Sequence, residues 1–90
     1  MSSKNEIRVT EAKNLPYGML LLTFSTGEKR LFDVTTLKGS AFEPLKSEDI
    51  RETVKVFYGA VAWMDGRIDC APEYLYENSY EYNQKDIISV

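Results

Sequence analysis

The sequence of 90 residues contains no histidine and a single cysteine, Cys70. General acid–base and nucleophilic catalysis most often use histidine, or a cysteine or serine beside a base. Cys70 follows Asp69, whereas a reactive thiol usually has a basic neighbour that stabilises its thiolate. We therefore expect Cys70 to be a small, half-buried apolar residue, and we expect no enzyme activity, no cofactor and no intramolecular disulfide.

Long apolar runs and an excess of basic residues are also missing. The longest apolar run, residues 19–22, is far shorter than the roughly 18 residues of a membrane span. The first residues have no apolar stretch typical of a signal peptide, so we expect a cytoplasmic protein that does not enter a membrane. The formal net charge of −3 argues against direct nucleic-acid binding, because nucleic acids attract basic surfaces.

The acidic residues are concentrated in the second half of the chain. Residues 47–90 include nine acidic and four basic side chains, a net charge of −5, which leaves +2 for the first half. Asp65, Asp69 and Glu73 recur every four residues, but a glycine and a proline between them oppose the helix that would align them. They also lack the spacing of an EF-hand loop, so we expect no metal site. The acidic half would suit a basic protein partner.

Residues 19–34 predict a β-hairpin around which the rest of the chain is organised. Its turn, Ser25-Thr26-Gly27, lies between two runs rich in Leu, Phe and Val. A two-residue loop would require a positive φ at the β-branched Thr26, which is unfavourable. A three-residue loop, in which only Gly27 is left-handed, is therefore favoured.

This loop fixes the register of the hairpin. The expected cross-strand pairs are Leu22 with Arg30, Leu20 with Phe32 and, on the opposite face, Leu21 with Leu31. Residues 19–22 are apolar on both faces, which predicts a central strand that is covered on both sides. One cover is expected to be a helix, and the other is either more of this chain or a second copy of it.

The remaining patterns complete a small α+β domain. Residues 6–12 alternate between apolar and polar side chains and add a strand, which makes a three-strand antiparallel meander. Residues 54–63 predict a second hairpin that extends the same sheet, because a lone hairpin is barely stable. Two short flanking helices are predicted at residues 47–52 and 72–78. We expect one domain over residues 1–78 and a polar, tyrosine-rich tail over 79–90, whose order the sequence leaves open.

Several short strings resemble the domain-of-unknown-function 2442 family (DUF2442). They are Thr23 to Glu28, Phe32 to Val34, Phe42 to Leu45, Val61 to Trp63, Asp65-Gly66, Asp69, and Ala71 to Tyr76. Met64 departs from the pattern, since the family often has proline there, and the link from Gly66 to Pro72 is longer. The resemblance implies a small bacterial α+β domain of a toxin–antitoxin-like pair, standing alone or fused ahead of a helix-turn-helix. It supplies no catalytic residues.

Aromatic and acidic residues gather late in the chain and predict a protein-binding surface, since Trp and Tyr are favoured interface anchors. The candidate residues are Trp63, Glu73, Tyr76, Glu77, Tyr80 and Tyr82. The alternative for Trp63 and for one of Tyr74 and Tyr76 is that they close the core. The leading hypothesis is a protein-interaction module with a protein partner of basic character, and a homo-oligomer is a further form that the pattern allows. The other hypothesis is a small-ligand-binding or sensor domain.

Overall fold

Residues 7–81 are described in the computed structural model of the chain, and they form antiparallel sheets with short helices, as expected of an α+β domain. The strands are β1 (Val9–Leu15), β2 (Met19–Phe24), β3 (Lys29–Asp33), β4 (Lys55–Phe57), β5 (Ala60–Trp63), β6 (Ile68–Cys70) and β7 (Tyr80–Glu81). The α-helices are α1 (Glu48–Arg51) and α2 (Pro72–Asn78), and 3₁₀ turns lie at Pro16–Gly18, Val34–Thr36 and Ser40–Lys46. Within residues 7–81, no helix is long and apolar enough to cross a membrane.

The β2–β3 hairpin has the predicted register, with Leu20 opposite Phe32. The N–H of Gly27 donates to the carbonyl of Phe24 at 2.8 Å, and the N–H of Phe24 donates to the carbonyl of Glu28 at 2.9 Å. Gly27 has a φ of +93°, and no other residue of the loop has a positive φ. The three-residue loop with one left-handed glycine is therefore confirmed.

The first sheet has the strand order β1-β2-β3-β7. Its meander is the predicted one, although β1 continues past residue 12 to Leu15. The sequence did not predict β7, in which Tyr80 pairs with Leu31 and Glu81 pairs with Arg30. The first residues of the segment 79–90 thus join the sheet, and residues 82–90 lie outside the described part of the chain.

The second hairpin forms where it was predicted, with positive φ at Tyr58 and Gly59 in its turn. The prediction that it extends the first sheet is wrong, because β4, β5 and β6 form a separate sheet in that order. The third strand, β6, provides the pairing that a lone hairpin lacks. It follows a turn in which Met64, Asp65 and Gly66 all have positive φ. The sequence analysis did not predict β6.

Both short helices lie at their predicted positions. Ser47 occupies the N-cap position of α1, although its side chain makes no capping hydrogen bond. Pro72 lies in the first turn of α2, where its missing N–H costs no helical hydrogen bond. Helix α2 ends at Asn78, because Ser79 is extended, with φ −106° and ψ 173°.

The hydrophobic core is built from both sheets and α2. Its largest fully buried side chains are those of Trp63, Phe24 and Phe32, and Leu75 is the buried residue of α2. A backbone hydrogen bond of 2.8 Å from Val9 to the carbonyl of Gly59 links β1 to the β4–β5 turn. Alternate side chains of β2, those of Leu20, Leu22 and Phe24, lie in this core. We call the face of the first sheet that carries them the inner face and the opposite one the outer face.

Candidate functional site

Trp63, a predicted partner-binding residue, belongs to the core. Only 1% of it is exposed, and it lies on β5 opposite Ile68. A side chain at this depth is not accessible to a partner while the domain is folded. The alternative interpretation, in which Trp63 closes the core, therefore describes this residue correctly.

Tyr76 is the centre of a polar cluster between α2 and the β2–β3 hairpin. Its hydroxyl donates to Oε1 of Glu28 at 2.7 Å, and its ring meets the ring of Phe24 edge to face, with centroids 5.2 Å apart. The guanidinium carbon of Arg30 lies 4.6 Å from the same ring centroid, a cation–π contact. Hydroxyl and ring are thus both engaged within the chain, and Tyr76 fastens α2 to the hairpin.

Arg30 extends this cluster to the end of α2. Its Nε donates to Oγ of Ser79 at 2.8 Å, and one terminal nitrogen donates to the carbonyl of Ser79, also at 2.8 Å. The other terminal nitrogen lies 3.6 Å from Oε2 of Glu28. A cation beside the C-terminus of a helix is favourable for the helix dipole. Arg30 therefore fixes both the end of α2 and the start of β7.

The cluster favours one protonation state. The pKa of Glu28 is lowered mainly by the hydrogen bond from Tyr76 and next by the hydroxyl of Thr26. The charge of Arg30 lowers it further, by a smaller amount. The same hydrogen bond to Glu28 is the main cause that raises the pKa of Tyr76. An ionised carboxylate and a protonated phenol therefore persist together around neutral pH. Neither group is tuned for proton transfer at that pH.

Tyr74 is the tyrosine of α2 that remains accessible. Its ring meets the buried ring of Phe32 edge to face, with centroids 6.2 Å apart, yet 42% of the residue is exposed. The sequence left open which of Tyr74 and Tyr76 packs inward, and the structure places Tyr76 inward. Tyr74 is therefore a candidate contact residue that the sequence did not single out. The two tyrosines lie on different sides of α2, and the local sequence does not show which side packs against the sheet.

A groove of about 450 Å³ runs beside Tyr74, and we refer to it as the α2 groove. Its lining residues are Thr36, Leu37, Lys38, Phe42, Asp69, Cys70, Ala71 and Tyr74. Half-buried Leu37 and Phe42 give it an apolar floor, and a smaller recess of about 200 Å³ lies against the same two side chains. The sequence did not predict this groove, because its walls come from segments that are distant in the chain.

The lining of the α2 groove carries one charge of each sign, and α2 adds exposed acidic residues. Asp69 lines it, and Glu73 and Glu77 are exposed on α2, four residues apart and hence on one side of the helix. Lys38 is the basic residue of the lining. Glu81, the next acidic residue at the same spacing, does not continue this row, because it lies on β7 opposite Arg30.

The structure separates the other predicted contact residues from α2. Tyr80 is 54% exposed, and its pairing with Leu31 places it on the outer face of the first sheet. Tyr82 lies outside the described residues. Of the six predicted side chains, Glu73 and Glu77 therefore share one surface near the α2 groove, whereas Tyr80 faces the opposite side of the sheet.

Cys70 is a small residue of the hydrophobic core, and it is buried rather than half-buried as expected. It is only 7% exposed, and burial, with a further contribution from the charge of Asp69, raises the pKa of its thiol to about 11. A thiol with this pKa is almost fully protonated at neutral pH and is a poor nucleophile. In the part of the chain from residue 7 to residue 81, no group of three or more acidic or cysteine side chains is arranged to hold a metal ion.

A family model described as "Protein of unknown function (DUF2442)" matches residues 9–81. The chain belongs to the DUF2442 family. The match begins at the first residue of β1 and ends at the last residue of β7, so the DUF2442 domain includes both sheets and α2. Neither the comparison with curated proteins nor the comparison with solved structures found a significant match.

Proposed function

We propose that this DUF2442 domain is a cytoplasmic protein-interaction module that binds a basic protein segment along the α2 groove. The observation that carries the proposal is the environment of Tyr74, whose ring is held by Phe32 and is still 42% exposed. An aromatic ring that is already fixed gives a large contact area at a small loss of side-chain entropy. Such rings are frequent energetic centres of protein interfaces.

The charges around the groove indicate the chemistry of the partner. The groove is lined by one carboxylate, that of Asp69, and by one ammonium, that of Lys38. Helix α2, which supplies Tyr74 to the groove, carries two further exposed carboxylates, Glu73 and Glu77. A basic segment would be attracted by this surface, and the attraction would weaken as salt increases. The apolar floor formed by Leu37 and Phe42 would accept an apolar side chain of the same segment.

The family resemblance suggests that the domain acts within a toxin–antitoxin-like pair. In a bacterial host, the partner would be the other member of a toxin–antitoxin-like pair, and the product of a neighbouring gene is the first candidate. Among the products of neighbouring genes, the best candidates are those that carry a basic segment with an apolar side chain.

The experiment is capture of partners from the native host by the full chain, read by quantitative mass spectrometry. The Tyr74→Ala variant should recover its specific partner at least about tenfold less efficiently, as expected for the loss of an aromatic anchor. Tyr80→Ala is the matched control, because Tyr80 has a similar exposure on the opposite side of the sheet. Thermal unfolding of both variants shows that they remain folded. Recovery of the same partner by Tyr74→Ala at the level of the original chain would refute the proposal.

A small-ligand or sensor function is the second candidate, and the size of the groove favours it. Its volume of about 450 Å³ lies within the range of about 300–1,000 Å³ typical of small-molecule sites. Lys38 and Asp69 would then supply the polar contacts that orient a ligand. Native mass spectrometry of the purified protein distinguishes the two functions. A retained small molecule that Lys38→Ala releases would favour this candidate over the interaction module.

A further inference from the structure

We propose that the end of the β4–β5 hairpin is a second interaction surface, which binds an acidic segment of a partner protein. We call this surface the Tyr58 tip, and it consists of Arg8, Lys55, Phe57, Tyr58 and Arg67. None of these residues lines the α2 groove, so the proposal goes beyond the function proposed above.

Tyr58 is held in a conformation that its side chain opposes. Tyr58 and Gly59 have φ values of +50° and +82°, the two positive values of a type I′ turn. Asparagine, aspartate and glycine are preferred at the first position of such a turn, because a bulky side chain is strained at positive φ. Tyr58 is also 97% exposed, so it gains almost no packing in return. Strained residues of this kind cluster at functional sites.

Two glycines hold an aromatic ring and a cation beside Tyr58. A Cβ at Gly66 would lie 3.3 Å from Cε2 of Phe57, and a Cβ at Gly59 would lie 3.0 Å from Cγ of Arg8. The ring of Phe57 therefore lies against the β5–β6 turn, and the stem of Arg8 lies against the β4–β5 turn. Phe57 is still 37% exposed. The tip thus presents two aromatic rings to a partner, and such rings are frequent energetic centres of interfaces.

The charges of the tip are mainly basic. Arg8 contacts the β4–β5 turn, and Arg67 follows the glycine against which Phe57 packs. Lys55 lies two residues before Phe57 and hence on the same face of β4. All three cations are exposed, and none of them forms an ion pair within residues 7–81. Asp65 is the one acidic residue of the two turns, so the tip is complementary to carboxylates, which a guanidinium binds through paired hydrogen bonds.

A short acidic segment suits this surface better than a nucleic acid. The chain has a net charge of −3, and its exposed Glu73 and Glu77 would repel a long polyanion. A peptide needs to meet only the tip itself. Its carboxylates would pair with the cations, and its apolar side chains would pack on Phe57 and Tyr58.

The test is a titration of the isotopically labelled full chain, followed by NMR, with an acidic peptide in which glutamates flank a pair of leucines. The amide signals of residues 57–59 and of Arg67 should shift, and the Kd should increase with salt. Tyr58→Asn should weaken binding at least about fivefold, as expected for the loss of an aromatic anchor. The same variant should raise the midpoint of thermal unfolding, because asparagine tolerates positive φ.

Tyr17→Asn is the matched control. Tyr17 is also exposed, also precedes a glycine and has a φ of +66°, but residues 15–22 around it carry no charge. Its substitution should relieve similar strain and leave the Kd of the peptide unchanged. Arg67→Glu should weaken binding, whereas Lys13→Glu, the same charge change at an exposed residue of β1, should not.

Three results would overturn the proposal. The first is an acidic peptide that does not bind, or that binds Tyr58→Asn as tightly as the original chain. The second is tighter binding of oligouridylate with shifts at the same residues, since the tip would then be a nucleic-acid surface. The third is equal shifts at residues 57–59 with a peptide in which lysines replace the glutamates, because charge would then not select the partner.

Discussion

The hydroxyl of Tyr76 donates a hydrogen bond of 2.7 Å to Oε1 of Glu28, which lies 48 residues earlier in the chain. This contact, together with the stacking of Arg30 on the ring of Tyr76, fixes the rotation of α2 on the first sheet. With Leu75 buried and Tyr76 engaged, Tyr74 is left on the groove side of the helix. The polar cluster thus positions the surface that we propose as the binding site.

The Tyr76→Phe variant should raise the pKa of the Glu28 carboxyl. It removes the hydroxyl that contributes most to lowering this pKa, while it keeps a ring for contact with Phe24 and Arg30. A carbon-detected NMR titration of the Glu28 carboxyl measures the change. Tyr80→Phe is the control and should leave the titration as it is. An unchanged Glu28 midpoint in Tyr76→Phe would show that the hydrogen bond does not form in solution.

Acidification should destabilise the domain through Glu28. Its pKa in the folded state lies below the ordinary value of 4.5, so the stabilising contribution is present above that value and is lost as the pH falls through the folded pKa. The free energy of unfolding, measured by urea denaturation, should therefore decrease as the pH falls below about 4.5. Glu28→Gln should show a smaller decrease over the same interval. A decrease of the same size in both proteins would mean that other carboxyls are responsible.

Two glycines with positive φ should differ in their sensitivity to substitution. Gly27→Ala should cost about 1 kcal/mol, since a Cβ there meets nothing within 4 Å and only the backbone is strained. Gly18→Ala should cost more, because its Cβ would lie 2.8 Å from the methyl carbon of Thr35. Chemical denaturation measures both values. Gly18→Ala together with Thr35→Ser, which removes that methyl group, should recover part of the difference, and equal costs for the two single variants would contradict the packing at Gly18.

Cys70 should react slowly with thiol reagents in the native domain. Burial and the raised pKa of about 11 both reduce the concentration of accessible thiolate at neutral pH. Labelling with iodoacetamide, followed by mass spectrometry, should be slow in buffer and fast in denaturant. Native labelling as fast as that of the unfolded chain would contradict the buried position of the thiol.

Local patterns were enough to predict much of this fold. Alternation of apolar and polar residues located β1 and the β4–β5 hairpin, and the conformational limits of Thr26 and Gly27 identified the correct turn. These features depend on neighbours in the chain, which a sequence shows directly. Strand β7 depends instead on a distant partner, since Tyr80 pairs with Leu31 in the first sheet. Strand β6 pairs with its neighbour β5, but only through a tight turn in which Met64, Asp65 and Gly66 all have positive φ, and local alternation does not indicate such a turn.

The turn before β6 also explains the departure from the family pattern at Met64. This residue has a φ of +56°, whereas proline is restricted to a φ near −65°. Its N–H also donates to Oγ1 of Thr53 at 2.9 Å, a hydrogen bond that proline cannot make. The backbone found here therefore excludes the proline that the family resemblance led us to expect at this position.

The candidate site was predictable only in part. The spacing of the acidic residues on α2 identified Glu73 and Glu77. Tyr76 was predicted as a contact residue in place of Tyr74, because Tyr76 is held inward by Glu28 and Arg30, which belong to another segment of the chain. The sequence predicted that residues 79–90 form a tail outside the domain, with Tyr80 and Tyr82 as candidate contact residues. Ser79 is instead held by Arg30 and leads into β7, so truncation after Asn78 would also remove part of the first sheet.

The most direct test of the central claim is a calorimetric titration of the captured partner with the full chain at increasing sodium chloride concentration. If a basic segment binds along the α2 groove and the exposed carboxylates of α2, the Kd should increase with salt, and Glu73→Lys should weaken binding and reduce this salt dependence. Glu11→Lys makes the same charge change on the outer face and should bind as the original chain does. A Kd that is independent of salt, or equal for the original chain and Glu73→Lys, would contradict the account.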